Sequence, residues 1–250
     1  MRLDVEKIRA TCPGNQIVYF PSLGTTMEEA ARLANEGAAH GTTVLADEQT
    51  SGVGRFGRAW LSEAEVGIYC SVILRLSLLP SSVPVAALLL GLATAEAIQK
   101  STNLVCDLRW PNDVLINGHK VGGILAQMVD ACVIAGIGIN VNQTEFPNDL
   151  RTPATSLRIE SGGEPQPRER VIIRLLEAID SFVDLLKAQG PAAILRAFTS
   201  SSSYAANRRV LVEETGQRGT TAGLDDSGFL LLRLDSGVTQ RIATGGVRAV

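Results

Sequence analysis

The sequence predicts an α+β fold: a mixed β-sheet with helices packed on it, followed by a small all-β unit. Three observations carry this expectation. Between Ile17 and Val141, apolar segments of strand length are interleaved with segments of helical period, and some are joined by tight turns instead of helices. Two helical segments then follow between Arg168 and Ser203. From Arg209 the pattern changes to short β runs separated by turn clusters. A chain of 250 residues has room for one large and one small domain, and the pattern places them at 1–204 and 205–250.

Ile17–Phe20, Thr43–Ala46 and residues 67–76 are the first strands. Between the first two, residues 27–39 read as a helix with Ala30, Leu33, Ala34 and Ala38 on one stripe. The apolar run 83–98 contains Pro84 and Glu96 and falls short of the roughly 20 residues that span a bilayer, so it reads as a buried helix. Ser81 and Ser82 offer caps for it, and Pro84 suits its first turn. Residues 104–110, Asp113–Ile116, 122–129 and 132–141 are further strands, with Asn117-Gly118 as a hairpin turn. The breaker-rich loop 160–167 precedes Arg168–Gln189, a helix with Val171, Leu175, Leu176, Ile179, Val183 and Leu186 on one face. A shorter helix follows Pro191, and the four serines at 200–203 read as a linker or helix end. Runs 210–214, 220–224, 229–234 and 239–243 would build a small barrel or sandwich.

Composition excludes several function classes. Hydrophobic residues at 45% and charged residues at 20% argue against disorder. Lys+Arg 23 against Asp+Glu 26 leaves a net charge of −3, without the basic excess of a dedicated nucleic-acid binder. Aromatics at 4% are too few for base-stacking platforms. Cys12, Cys70, Cys106 and Cys132 lack metal or redox spacing, which fits free thiols in a reducing cytosol. The N-terminus has no apolar signal-peptide core. The expectation is a cytoplasmic protein with neither membrane nor nucleic-acid partners and no resident metal.

Four segments carry candidate chemistry. In the first, Arg109-Trp110-Pro111-Asn112-Asp113 leads through a hairpin to Lys120, Gly122 and Gly123. The glycines permit close approach by a ligand or another strand, although a plain hairpin with an exposed lysine reads equally well. In the second, Gly52, Val53, Gly54, Arg55, Gly57, Arg58 and Trp60 follow Gln49. Its free N–H groups and guanidinium charges suit an anion, while a solvated surface loop is the simpler alternative. The order matches neither a Walker loop nor a dinucleotide fingerprint. In the third, Asn140 ends the run Gly136-Ile137-Gly138-Ile139, as a ligand contact or a turn residue. In the fourth, Thr25 and Thr26 open a helix, either as ligand contacts or as the N-cap of a capping box closed by Glu28 or Glu29.

Together, in this order and spacing, the four segments resemble the biotin protein ligases. Those show a Ser/Thr-Thr-Asn helix start, Gln with Gly-Arg-Gly-Arg-x-Gly-Arg-x-Trp, Lys-Trp-Pro-Asn-Asp, Lys-x-x-Gly-Ile-Leu and Gly-Ile-Asn. The resemblance covers about residues 15–160. It implies a catalytic fold like that of lipoate ligases and class II tRNA synthetases, with an SH3-like β barrel at the C-terminus. Three positions depart from the pattern: Val53 for an arginine, Met27 for an asparagine and Arg109 for a lysine. Only about 24 residues precede Thr25, so the form expected is the one without an N-terminal DNA-binding repressor domain.

The resemblance implies two steps, in which biotin and ATP give biotinyl-5′-AMP and a carrier lysine then takes the biotinyl group. Lys120, Arg55 and Arg58 would be the catalytic cations. Thr25, Thr26, Gln49, Gly52, Val53, Gly54, Arg55 and Lys120 would bind biotin. Arg55, Arg58, Trp60, Asn112, Lys120 and Asn140 would bind the nucleotide, and Asp113 would face the carrier lysine. ATP would come with Mg²⁺. The partner would be the biotin carboxyl carrier protein of acetyl-CoA carboxylase or a related carboxylase, and relatives are monomers or homodimers. Two other readings stand beside this one: a lipoate or octanoyl ligase on the same fold, and a non-catalytic carrier-binding protein. The cysteines sit in no recognisable reactive context for an octanoyl-transfer nucleophile, and Lys120 with Arg55 argues against loss of catalysis.

Overall fold

The computed structural model describes residues 2–76 and 82–250. A short helix, α1 (Val5–Thr11), opens the chain, capped by the Asp4 carboxylate on the Lys7 N–H. It is too short to show a period in the sequence. The central strands are β1 (Ile17–Phe20), β2 (Thr43–Ala46), β3 (Gly67–Leu74), β4 (Asp107–Arg109), β5 (Asp113–Ile116), β6 (His119–Val129) and β7 (Cys132–Asn140). They form one mixed sheet in the order β1-β2-β3-β7-β6-β5-β4. β1 and β2 are parallel and are joined by a crossover helix, α2 (Thr26–Asn35); the other pairs are antiparallel. A parallel pair needs such a crossover, whereas two residues can close an antiparallel one. Asn117 and Gly118 close β5 onto β6 with φ of 51° and 80°, as the Asn-Gly turn predicts.

Successive side chains on a strand face opposite ways. Ile68, Cys70, Val72 and Leu74 of β3, with Val133, Ala135, Ile137 and Ile139 of β7, join the main core with α3 (Val83–Thr102) and α5 (Arg168–Gln189). Ile73, Cys132 and Ile134 face the other way, against Met27, Ala30 and Ala34 of α2. Both faces of these strands are covered, so their sequences read as unbroken apolar runs. α3 is long and apolar enough to cross a membrane, yet most of it is buried against α5, β6 and α6 (Pro191–Ser200).

Several sequence expectations are corrected. Ser82 occupies the N-cap position of α3 but makes no capping bond, and Ser81 lies outside the described residues; Pro84 does sit in the first turn. α2 ends at Asn35 instead of 39, just before Gly37 turns to a φ of 89°. The strand expected at 104–110 shrinks to β4, because Asn103 caps α3 in the left-handed region and Thr102 Oγ1 still accepts the Leu104 N–H. A one-turn helix, α4 (Leu157–Glu160), also escapes the sequence reading.

The C-terminal part is an antiparallel sheet of β8 (Ala206–Val212), β9 (Arg218–Leu224), β10 (Leu230–Leu234), β11 (Thr239–Ile242) and β12 (Val247–Ala249). Its order is β11-β10-β9-β8-β12, and the three-residue β12 was too short to see in the sequence. Val210, Val212, Leu230 and Leu232 belong to the same core cluster as the large sheet. The serine run is a helix end, one of its two readings, since Ser200 closes α6 and Ser201 caps it; beyond it, Ser202 Oγ donates to the Leu108 carbonyl at 2.5 Å, and Ser203 donates twice to the Asp107 carboxylate. Trp110 Nε1 donates to the Gly228 carbonyl at 3.0 Å. These bonds hold the small sheet beside the β4–β5 end of the large one.

Candidate active site

Cross-strand pairing puts Arg109, Asp113, Gly123, Gly138 and Tyr69 in one row across β4, β5, β6, β7 and β3. Opposed residues share a face, so two adjacent glycines leave a trough. Trp60 fills it. A Cβ on Gly138 would lie 2.4 Å from the indole Cε2, and one on Gly123 2.8 Å from Cζ3. The close approach that the glycines permit is therefore made by an aromatic ring of the chain itself. The Trp60 Nε1–H is buried without a hydrogen-bond partner.

Beside the trough, Lys120 Nζ lies 2.5 Å from Asp113 Oδ1 and 5.3 Å from the centre of the Trp60 ring. Arg109 Nη2 lies 2.6 Å from Asp113 Oδ2 and donates to Thr152 Oγ1 at 2.9 Å. Burial pushes the Asp113 carboxyl up, but Lys120 and Arg109 more than offset it and hold the group below the usual carboxylate range. One carboxylate between two cations leaves a positive surplus at the cleft. The Lys120 backbone is pinned on its other side, donating to the Pro153 carbonyl at 2.8 Å and accepting from the Thr155 N–H at 2.9 Å.

The opposite polar wall is the start of α2. The Thr25 hydroxyl accepts from the Met27 N–H at 3.3 Å, so Thr25 is the N-cap. Glu29 pairs with Arg32 at 2.7 Å instead of closing a capping box. Thr26 N–H donates to Gln49 Oε1 at 2.8 Å, and its hydroxyl is 2.8 Å from Ser71 Oγ. Gln49 Nε2 donates to Ser62 Oγ at 2.9 Å, and Ser62 passes the chain on to the Trp60 carbonyl. This sequence of donors sets the orientation of the amide. Ser62 and Ser71 belong to none of the four segments; the one signal for Ser71 is a polar residue inside an apolar strand. Met27 packs on Gly136, where a Cβ would lie 2.5 Å from its Sδ.

The glycine loop is a small hairpin that uses part of its N–H groups internally. Gly54 N–H donates to the Arg58 carbonyl at 2.7 Å and Trp60 N–H to the Gly52 carbonyl at 2.8 Å. Gly52 is where the two arms cross, since a Cβ would meet the Trp60 carbonyl at 2.4 Å. Exposed Phe56 forms the tip at a φ of 59°, flanked by Arg55 and Arg58. Arg55 donates to the Gly245 carbonyl at 3.0 Å and to Asn112 Oδ1 at 3.3 Å, and burial lowers its pKa. Asn112 Nδ2 in turn holds the Ile124 carbonyl at 2.9 Å. Arg58 pairs with Glu214 at 3.1 Å. Asn140 Nδ2 ties the Thr155 carbonyl at 3.0 Å. Every predicted site residue except Gly52 lines a single cleft of about 230 Å³. Arg151, Thr152 and Glu213 line it too, and no short motif marks them.

Comparison with known proteins bears on this arrangement. The biotin/lipoate A/B protein ligase family matches residues 19–143, and the biotin protein ligase C terminal domain matches residues 207–247. The chain belongs to the biotin protein ligase family. It is an enzyme of the ligase class. It is 36% identical over 233 residues to the bifunctional ligase/repressor BirA of Bacillus subtilis, covering 90% of this chain and 71% of that protein. It is 32% identical over 234 residues to the biotin–[acetyl-CoA-carboxylase] ligase of Mycobacterium tuberculosis, covering 89% of this chain and 84% of the other. The solved biotin protein ligase of Aquifex aeolicus in complex with biotin and ATP superposes with a TM-score of 0.82 at 30% identity, covering 94% of this chain and 99% of that one. The mixed sheet, packed helices and small C-terminal sheet expected from the sequence are those of the biotin protein ligase fold.

Proposed function

We propose that the chain activates biotin with ATP as biotinyl-5′-AMP and transfers the biotinyl group to a lysine of a biotin carboxyl carrier domain. The observation that carries this reading is Lys120, held 2.5 Å from Asp113 in a cleft whose far wall is Thr25, Thr26 and Gln49. In the first step a biotin carboxylate oxygen attacks the α-phosphorus, and pyrophosphate leaves. Two anions must meet, and each unit pair at ~4 Å repels by about 4 kcal/mol at an effective dielectric near 20. Lys120, on β6, would sit between them as a fixed cation, with Arg55 and Arg58 on the glycine hairpin lining the same cleft; no covalent enzyme intermediate is needed. The Aquifex complex with biotin and ATP supports both ligands for this cleft.

The Thr26–Gln49 pair offers polar contacts for the ureido ring, and Gly52, Val53 and Gly54 flank it in the hairpin. Trp60, resting on the Gly123–Gly138 floor, presents its indole to the nucleotide base, while Asn112 acts by holding Arg55. Asn140 keeps its Oδ1 for the nucleotide. In the second step the carrier lysine attacks the acyl carbon as a free amine, loses a proton and releases AMP. Asp113 lies on that side. Lys120 and Arg109 keep it ionised and a weak base, so its part is to orient charge. Mg²⁺ would arrive as the counter-ion of the triphosphate. Among the described residues no cluster of three His, Cys, Asp or Glu could hold a metal, and Asp113 is taken by its two cations.

Residues 1–204 carry the chemistry in this reading, and 205–250 reach it through Glu213, Glu214 and Gly245. The acceptor is the carrier of acetyl-CoA carboxylase or a related carboxylase, as the name of the Mycobacterium relative supports. The repressor half of the Bacillus relative's name is not carried over. Biotin-dependent ATP–pyrophosphate exchange tests the proposal. Exchange driven by biotin supports it; exchange driven by lipoate or octanoate alone, or none with any acid, refutes it.

A further inference from the structure

We infer that Arg151 is a further phosphate-binding residue of this cleft, releasing the Glu213–Glu214 turn to grip the triphosphate of ATP. The inference rests on the reading that the cleft takes ATP.

Arg151 follows β7 in a segment outside all four motifs, yet it lines the cleft. Its Nη2 lies 3.1 Å from Glu213 Oε2, and its Nη1 lies 3.9 Å from Glu214 Oε1. That same Glu214 oxygen is 3.1 Å from Arg58 Nη2. The other Glu214 oxygen accepts the Gly246 N–H at 2.8 Å. Two guanidiniums from separate loops and a backbone N–H thus converge on one carboxylate. Such a donor set suits a phosphate group, with planar forks for its oxygens and an amide for one more.

The cations deeper in the cleft are already balanced in part, since Lys120 and Arg109 share Asp113. A triphosphate brings more negative charge than that pair can meet. The Arg151 side chain is 47% exposed, so it can leave its carboxylates without unpacking the core. Its carboxylate partners are less open, Glu213 at 9% and Glu214 at 23%, so the exchange is driven by the greater charge of the phosphate groups and not by weakness of the pairs. Glu213 and Glu214 act in this account as resident anions that keep the arginines in place until nucleotide arrives.

The test uses the full chain in biotin-dependent ATP–pyrophosphate exchange, with ATP and biotin varied separately. Arg151→Gln should raise the KM for ATP about tenfold and leave that for biotin within about twofold, with Arg151→Lys recovering part of the loss. The double variant Glu213→Gln/Glu214→Gln separates ligand from latch: any rise in its KM for ATP should be smaller than that in Arg151→Gln. An ATP KM within about twofold of the parent in Arg151→Gln overturns the inference. So does a rise in the double variant equal to that in Arg151→Gln, which would make Arg151 a latch only. Should the parent chain show no exchange at all, the ligase reading fails separately. Calorimetric titration with α,β-methylene-ATP then still decides Arg151, because unweakened affinity in Arg151→Gln rejects it and weakened affinity upholds it.

Discussion

The Trp60 indole rests on Gly138, so close that a Cβ at that position would lie 2.4 Å from the ring. An alanine there must push the ring out of the trough or shift the strand beneath it. Gly138→Ala should cost about 1–3 kcal/mol of stability through overpacking. In a Trp110→Phe background, which leaves Trp60 as the one indole, emission should move to longer wavelength as the ring meets water. Unchanged emission and melting temperature would show that the trough is not filled in solution.

Removing the Lys120 ammonium separates chemistry from folding. Arg109 still pairs with Asp113 in Lys120→Ala, so the chain should fold with an unchanged far-ultraviolet circular dichroism spectrum, although the loss of one counter-ion to a buried carboxylate should lower its melting temperature. The exchange rate should fall by about 10²–10³, the scale for loss of one fixed electrostatic stabiliser. Lys120→Arg keeps the charge but spreads it over a planar fork, and should recover only part of the rate. Full activity in the alanine variant would remove Lys120 from the reaction.

The buried Asp113 makes a prediction about acid. Its carboxyl is held below the ordinary value in the folded chain by Lys120 and Arg109, which outweigh burial. A depressed folded pKa gives stability that is complete above the unfolded value, about 3.9, and is lost as pH falls through the folded one. Melting temperature should therefore hold steady from neutral pH towards that value and then drop. Asp113→Asn should show a shallower acid limb in the same calorimetric series. An identical limb in both proteins would remove Asp113 from the acid transition.

Ser62 should matter through Gln49. Without the Ser62 hydroxyl, Gln49 Nε2 loses its acceptor and the amide is free to turn, at about 1–3 kcal/mol if the group stays buried and unpaired. Ser62→Ala should raise the KM for biotin several-fold and leave that for ATP unchanged. Equal rises for both substrates would point to general loosening of the loop.

The fold was largely legible because its determinants are local. The helical stripe of Arg168–Gln189, the Asn117-Gly118 turn and the apolar runs of β3 and β7 each have a physical period or a required backbone angle. α1, α4 and β12 escaped because so few residues show no period, and tertiary contacts decide them. The site was legible where its residues share a short motif, as Lys120 does with Gly122 and Gly123. Arg151 and Glu213 are separated by about a quarter of the chain and meet only because the stapled serines and Trp110 bring the small sheet to the cleft. The glycine loop departs from its reading in one respect: the Gly54 and Trp60 N–H groups pair across a hairpin, which composition does not reveal.

A crystal structure of the chain with biotin and α,β-methylene-ATP tests the central claim most directly. The account predicts Lys120 Nζ within hydrogen-bond reach of both a biotin carboxylate oxygen and an α-phosphate oxygen, with the Trp60 indole against the ligands. Ligands bound elsewhere, with Lys120 facing bulk water and contacting neither, would contradict it.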